Sequence, residues 1–147
     1  MAYSSKTIAS WSVIVLILVQ FIPLNRINPP ASSKIKIPYT ITSLLKKACY
    51  DCHSYETRWT RIAYIAPASW FVTGFVSSGR TALNFSTVKS DEITPLLAKK
   101  IRTIVKKGNA HQQLYHLLKP EAQLSTSETE LLLKWLESLL TTRENSV

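Results

Sequence analysis

An uncharged run near the N-terminus limits the folds that this chain can adopt. Residues 7–25, TIASWSVIVLILVQFIPLN, contain no charged side chain and lie between Lys6 and Arg26. A segment surrounded by lipid must satisfy its own backbone hydrogen bonds, and about 20 apolar residues form a helix that crosses the hydrocarbon layer. The run therefore predicts a transmembrane helix without a polar face, followed by one domain.

A cleaved secretory signal is the alternative interpretation of this run. Such signals have a shorter apolar core and small residues at the cleavage site, whereas the segment after the run offers only Ala31 to Ser33 beyond two prolines. We therefore predict an uncleaved anchor over residues 1–26. The basic residues on its two sides favour opposite orientations, so the charges do not decide which side the domain occupies.

The segment after the anchor predicts a tether. Residues 28–38, NPPASSKIKIP, contain three prolines, which disfavour a helix and favour an extended chain. We assign residues 27–39 to a tether that holds the domain off the membrane. Residues 40–147 then form a single domain, which is an ordinary length for one modest core.

The domain is predicted to be mostly α-helical. The chain has only three glycines, and runs of Leu, Ile, Lys and Ala alternate with short Ser- and Thr-rich breaks. About four helices follow from the apolar spacing and the start and stop signals, at residues 41–52, 67–80, 95–107 and 125–140. Gly79 is expected to end the second helix. Ser125 with Glu128, or Ser127 with Glu130, is expected to cap the last.

The net charge of +9 predicts acidic partners. Acidic proteins, anionic lipid and nucleic acid all meet that description. The basic face of the third helix, residues 99–107, lacks interleaved aromatic residues, which argues against nucleic acid. We expect that face to be solvated or to dock an acidic partner protein.

The only two cysteines belong to the motif Cys49-Tyr50-Asp51-Cys52-His53. A disulfide over this spacing closes a very small ring and restricts the unfolded chain little. A thioredoxin-like redox pair lacks its surrounding βαβ pattern. A zinc site of both cysteines with His111 and His116 has its two halves far apart in the sequence, unlike a zinc finger.

Covalent haem attachment accounts for both cysteines and for the histidine of the motif. In C-x-x-C-H, two thiols add to the vinyl groups of haem, and the adjacent imidazole becomes an iron ligand. We therefore predict one haem c held by Cys49 and Cys52, with His53 as the proximal ligand.

The chain also resembles the small bacterial haem-binding domain proteins, which are membrane-anchored and c-type-cytochrome-like. The resemblance covers nearly all of the chain, in the blocks VQFIPLNRINPP, CYDCHSYETRW, IAPASW, GRTALNFS and KPEAQLSTSE. It implies one covalent haem on the outer face of the cytoplasmic membrane, with the domain in the periplasm. It implies no defined substrate or partner.

Two departures from the family pattern concern the iron and the pocket. Family members have G-x-M-P after the third helix, where this chain has Gly108-Asn109-Ala110-His111, and its only methionine is Met1. A methionine ligand from this domain is therefore excluded. Thr60-Arg61-Ile62 stands where the family has Pro-Trp-Tyr, which alters the expected aromatic packing beside the haem.

Three possibilities follow for the sixth iron ligand. His111 lies one position past the missing methionine and is the expected distal ligand, His116 is its competitor, and the position can also be open. A ligated iron predicts an electron carrier that is not an enzyme. An open site predicts a sensor of diatomic gas or a peroxide-reactive haem.

Several further side chains are expected to contact the haem. Arg80 is the favoured partner of a haem propionate, ahead of Arg58 and Arg61, because guanidinium binds carboxylate in a bidentate manner. Trp70, with Trp59, Tyr64 and Phe85, is expected to form pocket walls and core.

Overall fold

The computed structural model describes residues 4–32, 37–88, 95–107 and 110–144, with side chains for all of these except 110–112 and 142–144. Its described helices are α1 Ser5–Leu18, α2 Tyr39–Ala48, α3 Tyr50–His53, α4 Ala68–Ala82, α5 Pro95–Lys107, α6 Ala110–Leu118 and α7 Thr126–Glu144. Three 3₁₀ turns are described, at Val19–Phe21, Arg61–Tyr64 and Pro120–Ala122. No strand occurs in the described ranges, so the mostly α prediction is confirmed.

The predicted helix boundaries hold for some helices and fail for others. The predicted helix 41–52 is two helices, because α2 ends at Ala48 and Cys49 leaves helical geometry with φ −125°. Gly79 does not end α4, which continues to Ala82. Helix α5 closely matches its predicted range.

The prediction of about four helices missed α6. Its sequence, AHQQLYHLL, is polar at the start, and none of the four predicted ranges covers it. The apolar residues Leu114, Tyr115 and Leu118 nevertheless recur at the spacing of one helix face.

The core lies where α2, α5 and α7 meet. Side chains that are almost fully buried form one cluster there: Ile41, Leu44, Leu45, Phe85, Ala98, Leu132 and Leu136. Leu132 and Leu136 are four residues apart on α7 and are both completely buried. Helices α5 and α7 pack along each other, which places α5 between the core and the site described below.

The start of α7 has the expected capping box. The Ser125 backbone N–H donates to Glu128 Oε2 at 2.7 Å, and the Glu128 N–H donates to Ser125 Oγ at 3.3 Å. The same carboxylate accepts from Lys47 Nζ at 2.7 Å, which ties α2 to α7. Of the two predicted capping pairs, the structure has the one formed by Ser125.

Helix α1 is shorter than the predicted anchor and projects from the domain. It has 14 residues, and none of them is buried. Over the described part of the chain, no helix combines the length and the apolar character that crossing a membrane requires. The helical part of the run 7–25 stops at Leu18 and continues only as the 3₁₀ turn Val19–Phe21.

The described part of the proline-rich segment has neither helix nor strand, and it lies against the domain. Asn28 Nδ2 donates to the Thr57 carbonyl oxygen at 2.9 Å, and the Ser32 N–H donates to the Ser86 carbonyl oxygen at 2.9 Å. These two hydrogen bonds hold the described residues Asn28 and Ser32 against the domain.

Candidate functional site

The candidate site is an apolar cleft between α4, α5 and α6. Its open space, including the mouth, measures about 1240 Å³. Aliphatic and aromatic side chains from the three helices form its walls: Val72, Phe75, Val76, Ile101, Ile104, Val105, Leu114 and Leu118. Phe75, Ile104, Leu114 and Leu118 are 36–47% exposed, so the cleft presents a large apolar surface to any ligand inside it.

All three functional residues of the C-x-x-C-H motif line this cleft. The Cys49 carbonyl oxygen accepts from the N–H of Cys52 at 3.2 Å and from the N–H of His53 at 2.9 Å, which closes one tight turn. Cysteines three residues apart in such a turn share one face. The backbone therefore directs both thiols to the same side of the cleft.

The two cysteines are free thiols. Burial raises the pKa of Cys49 to about 12, with a smaller contribution from Cys52. Burial also raises the pKa of Cys52 to about 11, with Asp51 adding to the effect. Catalytic redox cysteines have lowered thiol pKa values, so these environments do not support thioredoxin-like chemistry.

The imidazole of His53 is held by the backbone at the end of α4. Its Nδ1 lies 3.1 Å from the Leu83 carbonyl oxygen, and the Phe85 N–H donates to the His53 carbonyl oxygen at 2.8 Å. Because a carbonyl only accepts, Nδ1 is the protonated nitrogen, and the lone pair lies on Nε2. This is the arrangement in which a histidine coordinates a metal through Nε2.

Helix α4 approaches the motif at Gly79. A Cβ on this residue would lie 3.0 Å from the Cys52 carbonyl carbon and closer still to its oxygen. No side chain fits between the two backbones, so glycine is required for α4 to pack directly on the C-x-x-C-H motif.

A buried carboxylate between the two cysteines forms the polar corner of the cleft. Asp51 Oδ1 accepts from the backbone N–H and the Nε of Arg58, both at 3.0 Å, while Oδ2 accepts from the Tyr115 hydroxyl at 2.6 Å and from Lys119 Nζ. Both Asp51 and Lys119 are buried. These contacts join the motif to α6 and to the turn that follows it.

The protonation states in this corner favour ion pairing. Burial of Asp51 acts to raise its pKa, but hydrogen bonds from Arg58, Lys119 and Tyr115 outweigh it and leave the pKa below its usual value. Burial and the hydrogen bond to Asp51 raise the pKa of Tyr115, so the phenol stays protonated and donates. Asp51 is therefore an anion that accepts from every neighbour.

One donor at the cleft has no acceptor within the described chain. Trp59 lines the cleft, and its Nε1 is buried without a hydrogen-bond partner. A buried N–H of this kind costs free energy unless it is satisfied.

Two predicted haem contacts, Arg80 and Trp70, are not among the residues that line the cleft. Arg80 is not a wall of the cleft, and its guanidinium donates to acceptors of the protein: Ser54 O, Ile27 O, Asn28 Oδ1 and Thr57 Oγ1. Trp70 is 38% exposed and is also not a cleft residue. Arg58 does line the cleft, although Asp51 engages it.

The two candidate distal histidines both belong to α6. The side chain of His111 lies outside the described residues. His116 does not line the cleft, and its Nε2 is buried with no partner in the described chain. The described residues also contain no cluster of three or more His, Cys, Asp or Glu that could hold a metal ion.

A comparison with protein families identifies the chain. The model of a family described as a haem-binding domain matches residues 14–138, which is most of the sequence. The chain belongs to this haem-binding domain family. Its cofactor is therefore haem, and the match supports the family resemblance inferred from the sequence blocks. No curated protein and no solved structure matches the chain.

The residues of this haem-binding domain fit a haem. The cleft is apolar, the two thiols and the imidazole share it, and the unpaired indole N–H of Trp59 lies at its wall. Cys49 and Cys52 would hold the porphyrin, and His53 would coordinate the iron, whose chemistry is reversible one-electron transfer.

Sequence reasoning missed the residues that support the motif. Asp51, Tyr115 and Lys119 form the polar corner, and Gly79 admits α4 to the motif. Of these residues, only Asp51 could have been found from the sequence. A carboxylate inside a motif that faces an apolar cleft needs a hydrogen-bond or ion-pair partner. Tyr115 comes from α6, which the sequence did not predict, and Lys119 follows that helix directly.

Proposed function

We propose that this protein carries electrons through one covalently attached haem c. The observation that supports this is that Cys49, Cys52 and His53 line one apolar cleft, with the His53 ring oriented by the Leu83 carbonyl. Two thioether bonds would hold the porphyrin, and the imidazole would remain on the iron through both oxidation states. No substrate chemistry is part of this role, so the protein is proposed not to be an enzyme.

His111 is proposed as the second axial ligand. Helix register supports it, because position 111 precedes Leu114 and Tyr115 by three and four residues, and these residues line the cleft. Leu118, one turn further along the same face, lines it as well. Position 116 falls on a different face of α6, which makes His116 the weaker candidate.

The haem domain is proposed to be anchored in the cytoplasmic membrane and to face the periplasm. The apolar α1, with no buried residue, supports an anchor, and the family resemblance supports the orientation. The exposed lysines of α5, Lys99, Lys100, Lys106 and Lys107, are a suitable docking surface for an acidic redox partner.

Haem retention tests the covalent attachment. Protein made in cells with c-type maturation machinery should keep its haem through denaturing electrophoresis and acid–acetone extraction. Cys52→Ala should abolish stable holoprotein. Haem that is extracted from the wild-type protein would contradict c-type attachment, and stoichiometric zinc without a Soret band would indicate the zinc alternative.

A topology experiment tests the location. A C-terminal alkaline phosphatase fusion should be active, and the protein should sediment with membranes after a high-salt wash. A soluble product that begins near Ser32 would show that the N-terminal segment is a cleaved signal.

A further inference from the structure

Four exposed apolar side chains lie together in sequence outside the cleft. Tyr64, Ile65, Trp70 and Phe71, called the aromatic patch below, are 56%, 59%, 38% and 64% exposed. They belong to the end of the turn Arg61–Tyr64 and the first turn of α4, two elements that pack against each other. None of them lines the cleft, so a bound haem does not account for their exposure.

Hydrogen bonds fix the end of α1 beside the aromatic patch. The Gln20 side chain accepts from the Ala66 N–H at 3.0 Å and donates to the Ala66 carbonyl oxygen at 3.3 Å. Arg26 donates to the Ala63 carbonyl oxygen at 3.3 Å and lies 4.7 Å from the centre of the Tyr64 ring. Whatever surrounds the C-terminal part of α1 is therefore close to the patch.

The C-terminal half of α1, from Val13 to Leu18, is apolar on all of its faces. From Val13 to Leu18 every side chain is 44–61% exposed, and no residue of the helix is buried. A protein groove covers one face of such a helix, whereas lipid covers all of them. Lipid is therefore the medium that suits α1.

The length of α1 places the aromatic patch near the boundary of the hydrocarbon layer. Fourteen residues at about 1.5 Å each extend about 21 Å, and the hydrocarbon core of a bilayer is about 30 Å thick. The turn Val19–Phe21 adds about 6 Å and contains Gln20. Because Gln20 is bonded to Ala66, the residues around Ala66 lie near the boundary of the hydrocarbon layer, where aromatic residues are enriched.

The charge of this region complements an anionic membrane surface. Residues 1–50 and 57–90 contain no Asp or Glu. Arg26 lies over the Tyr64 ring, and Arg61 belongs to the same turn as Tyr64. Anionic headgroups attract such basic residues near an apolar segment.

We propose that the aromatic patch is embedded in the interface of an anionic lipid bilayer and holds the haem domain against the membrane. This inference rests on the membrane anchoring proposed above. It assigns the exposed side chains of Tyr64, Ile65, Trp70 and Phe71 to contact with lipid and fixes which side of the domain faces the membrane.

Photolabelling of the full-length holoprotein tests the proposal. The protein is reconstituted into vesicles of phosphatidylcholine and phosphatidylglycerol that contain a phospholipid with a diazirine in its acyl chain. After irradiation, mass spectrometry locates the labelled peptides. We expect label in α1 and in residues 61–72, and none in the basic peptide 99–107.

A pair of variants sharpens the test. Ile65→Glu with Phe71→Glu should lose the label in residues 61–72 and keep it in α1, whereas Leu96→Glu, at an equally apolar position that is 77% exposed, should change neither. Label in α1 without label in residues 61–72 of the wild-type protein would overturn this inference alone. Absence of label from both segments would overturn the membrane anchor.

Discussion

The Nδ1 atom of His53 lies 3.1 Å from the carbonyl oxygen of Leu83, the residue that ends α4. The connection is reinforced by the Phe85 N–H, which donates to the His53 carbonyl oxygen. The imidazole is therefore oriented by the protein backbone. Any change that moves α4 away from the motif is expected to disturb the proposed iron ligand.

Gly79→Ala tests this packing. The added Cβ would collide with the Cys52 backbone, which cannot move as a flexible side chain could. We expect the unfolding free energy of the holoprotein to fall by about 1–3 kcal/mol, as in overpacked cores. Urea unfolding followed by circular dichroism measures this loss, and the haem spectrum reports on displacement of His53.

Gly74→Ala is the matched control on the same helix. A Cβ at Gly74 meets nothing within 4 Å, so only the helix propensity changes. Alanine should raise the unfolding free energy by about 0.5–1 kcal/mol. Equal effects of the two substitutions would show that the contact between Gly79 and Cys52 does not limit the packing of α4.

Asp51→Asn should destabilise the domain strongly. The substitution leaves the buried ammonium of Lys119 and the guanidinium of Arg58 without their anion. Removing one partner of a buried ion pair costs about 3–5 kcal/mol. The control is Glu56→Gln, which breaks the exposed pair with Lys46 and should cost less than about 1 kcal/mol in the same urea titration.

The stability that Asp51 provides should depend on pH in the acid range. Its folded-state pKa is below the usual value of 3.8, so the native state favours the charged carboxylate. The contribution is therefore complete above the unfolded pKa and is lost as the pH falls through the folded one. The difference between wild type and Asp51→Asn should be constant from neutral pH to about pH 5 and shrink below pH 4. A difference that grows on acidification would contradict the assigned sign.

Trp59→Phe tests whether the haem accepts a hydrogen bond from the indole N–H of Trp59. The substitution keeps an aromatic ring at the cleft wall and removes the buried N–H. If a haem carboxylate accepts that hydrogen bond, the holoprotein should lose about 1.5–3 kcal/mol of unfolding free energy. A variant as stable as the wild type, or more stable, would mean that the indole has no acceptor in the loaded protein.

Part of the candidate site can be predicted from the sequence because its residues are close together along the chain. The spacing of Cys49, Cys52 and His53 is readable within five residues, and the capping box at Ser125 is readable within four. The bounds of helix α5 are also predicted by the apolar residues on one of its faces and by the proline at its start. Such signals depend on backbone geometry that neighbouring residues determine.

The rest depends on contacts between distant residues. Lys119 donates to Asp51 from 68 positions further along the chain, and Arg80 donates to acceptors at Ile27, Asn28 and Thr57. Gly79 looked like a helix end, but it serves a close approach of α4 to Cys52. Only tertiary structure determines these partners, and a single sequence does not contain that information in readable form.

Substitution of the two α6 histidines tests the proposed second ligand. With His53 and His111 on the iron, the ferric protein should be low-spin, and its potential should lie below that of a His/Met haem, because methionine raises the potential. His111→Ala should make the iron high-spin and let the ferrous form bind carbon monoxide readily. His116→Ala is the control and should leave the spectrum unchanged, since position 116 is off the cleft face of α6. A wild-type protein that is already high-spin and binds carbon monoxide at once would contradict the electron-carrier proposal and indicate an open site for a diatomic gas or peroxide.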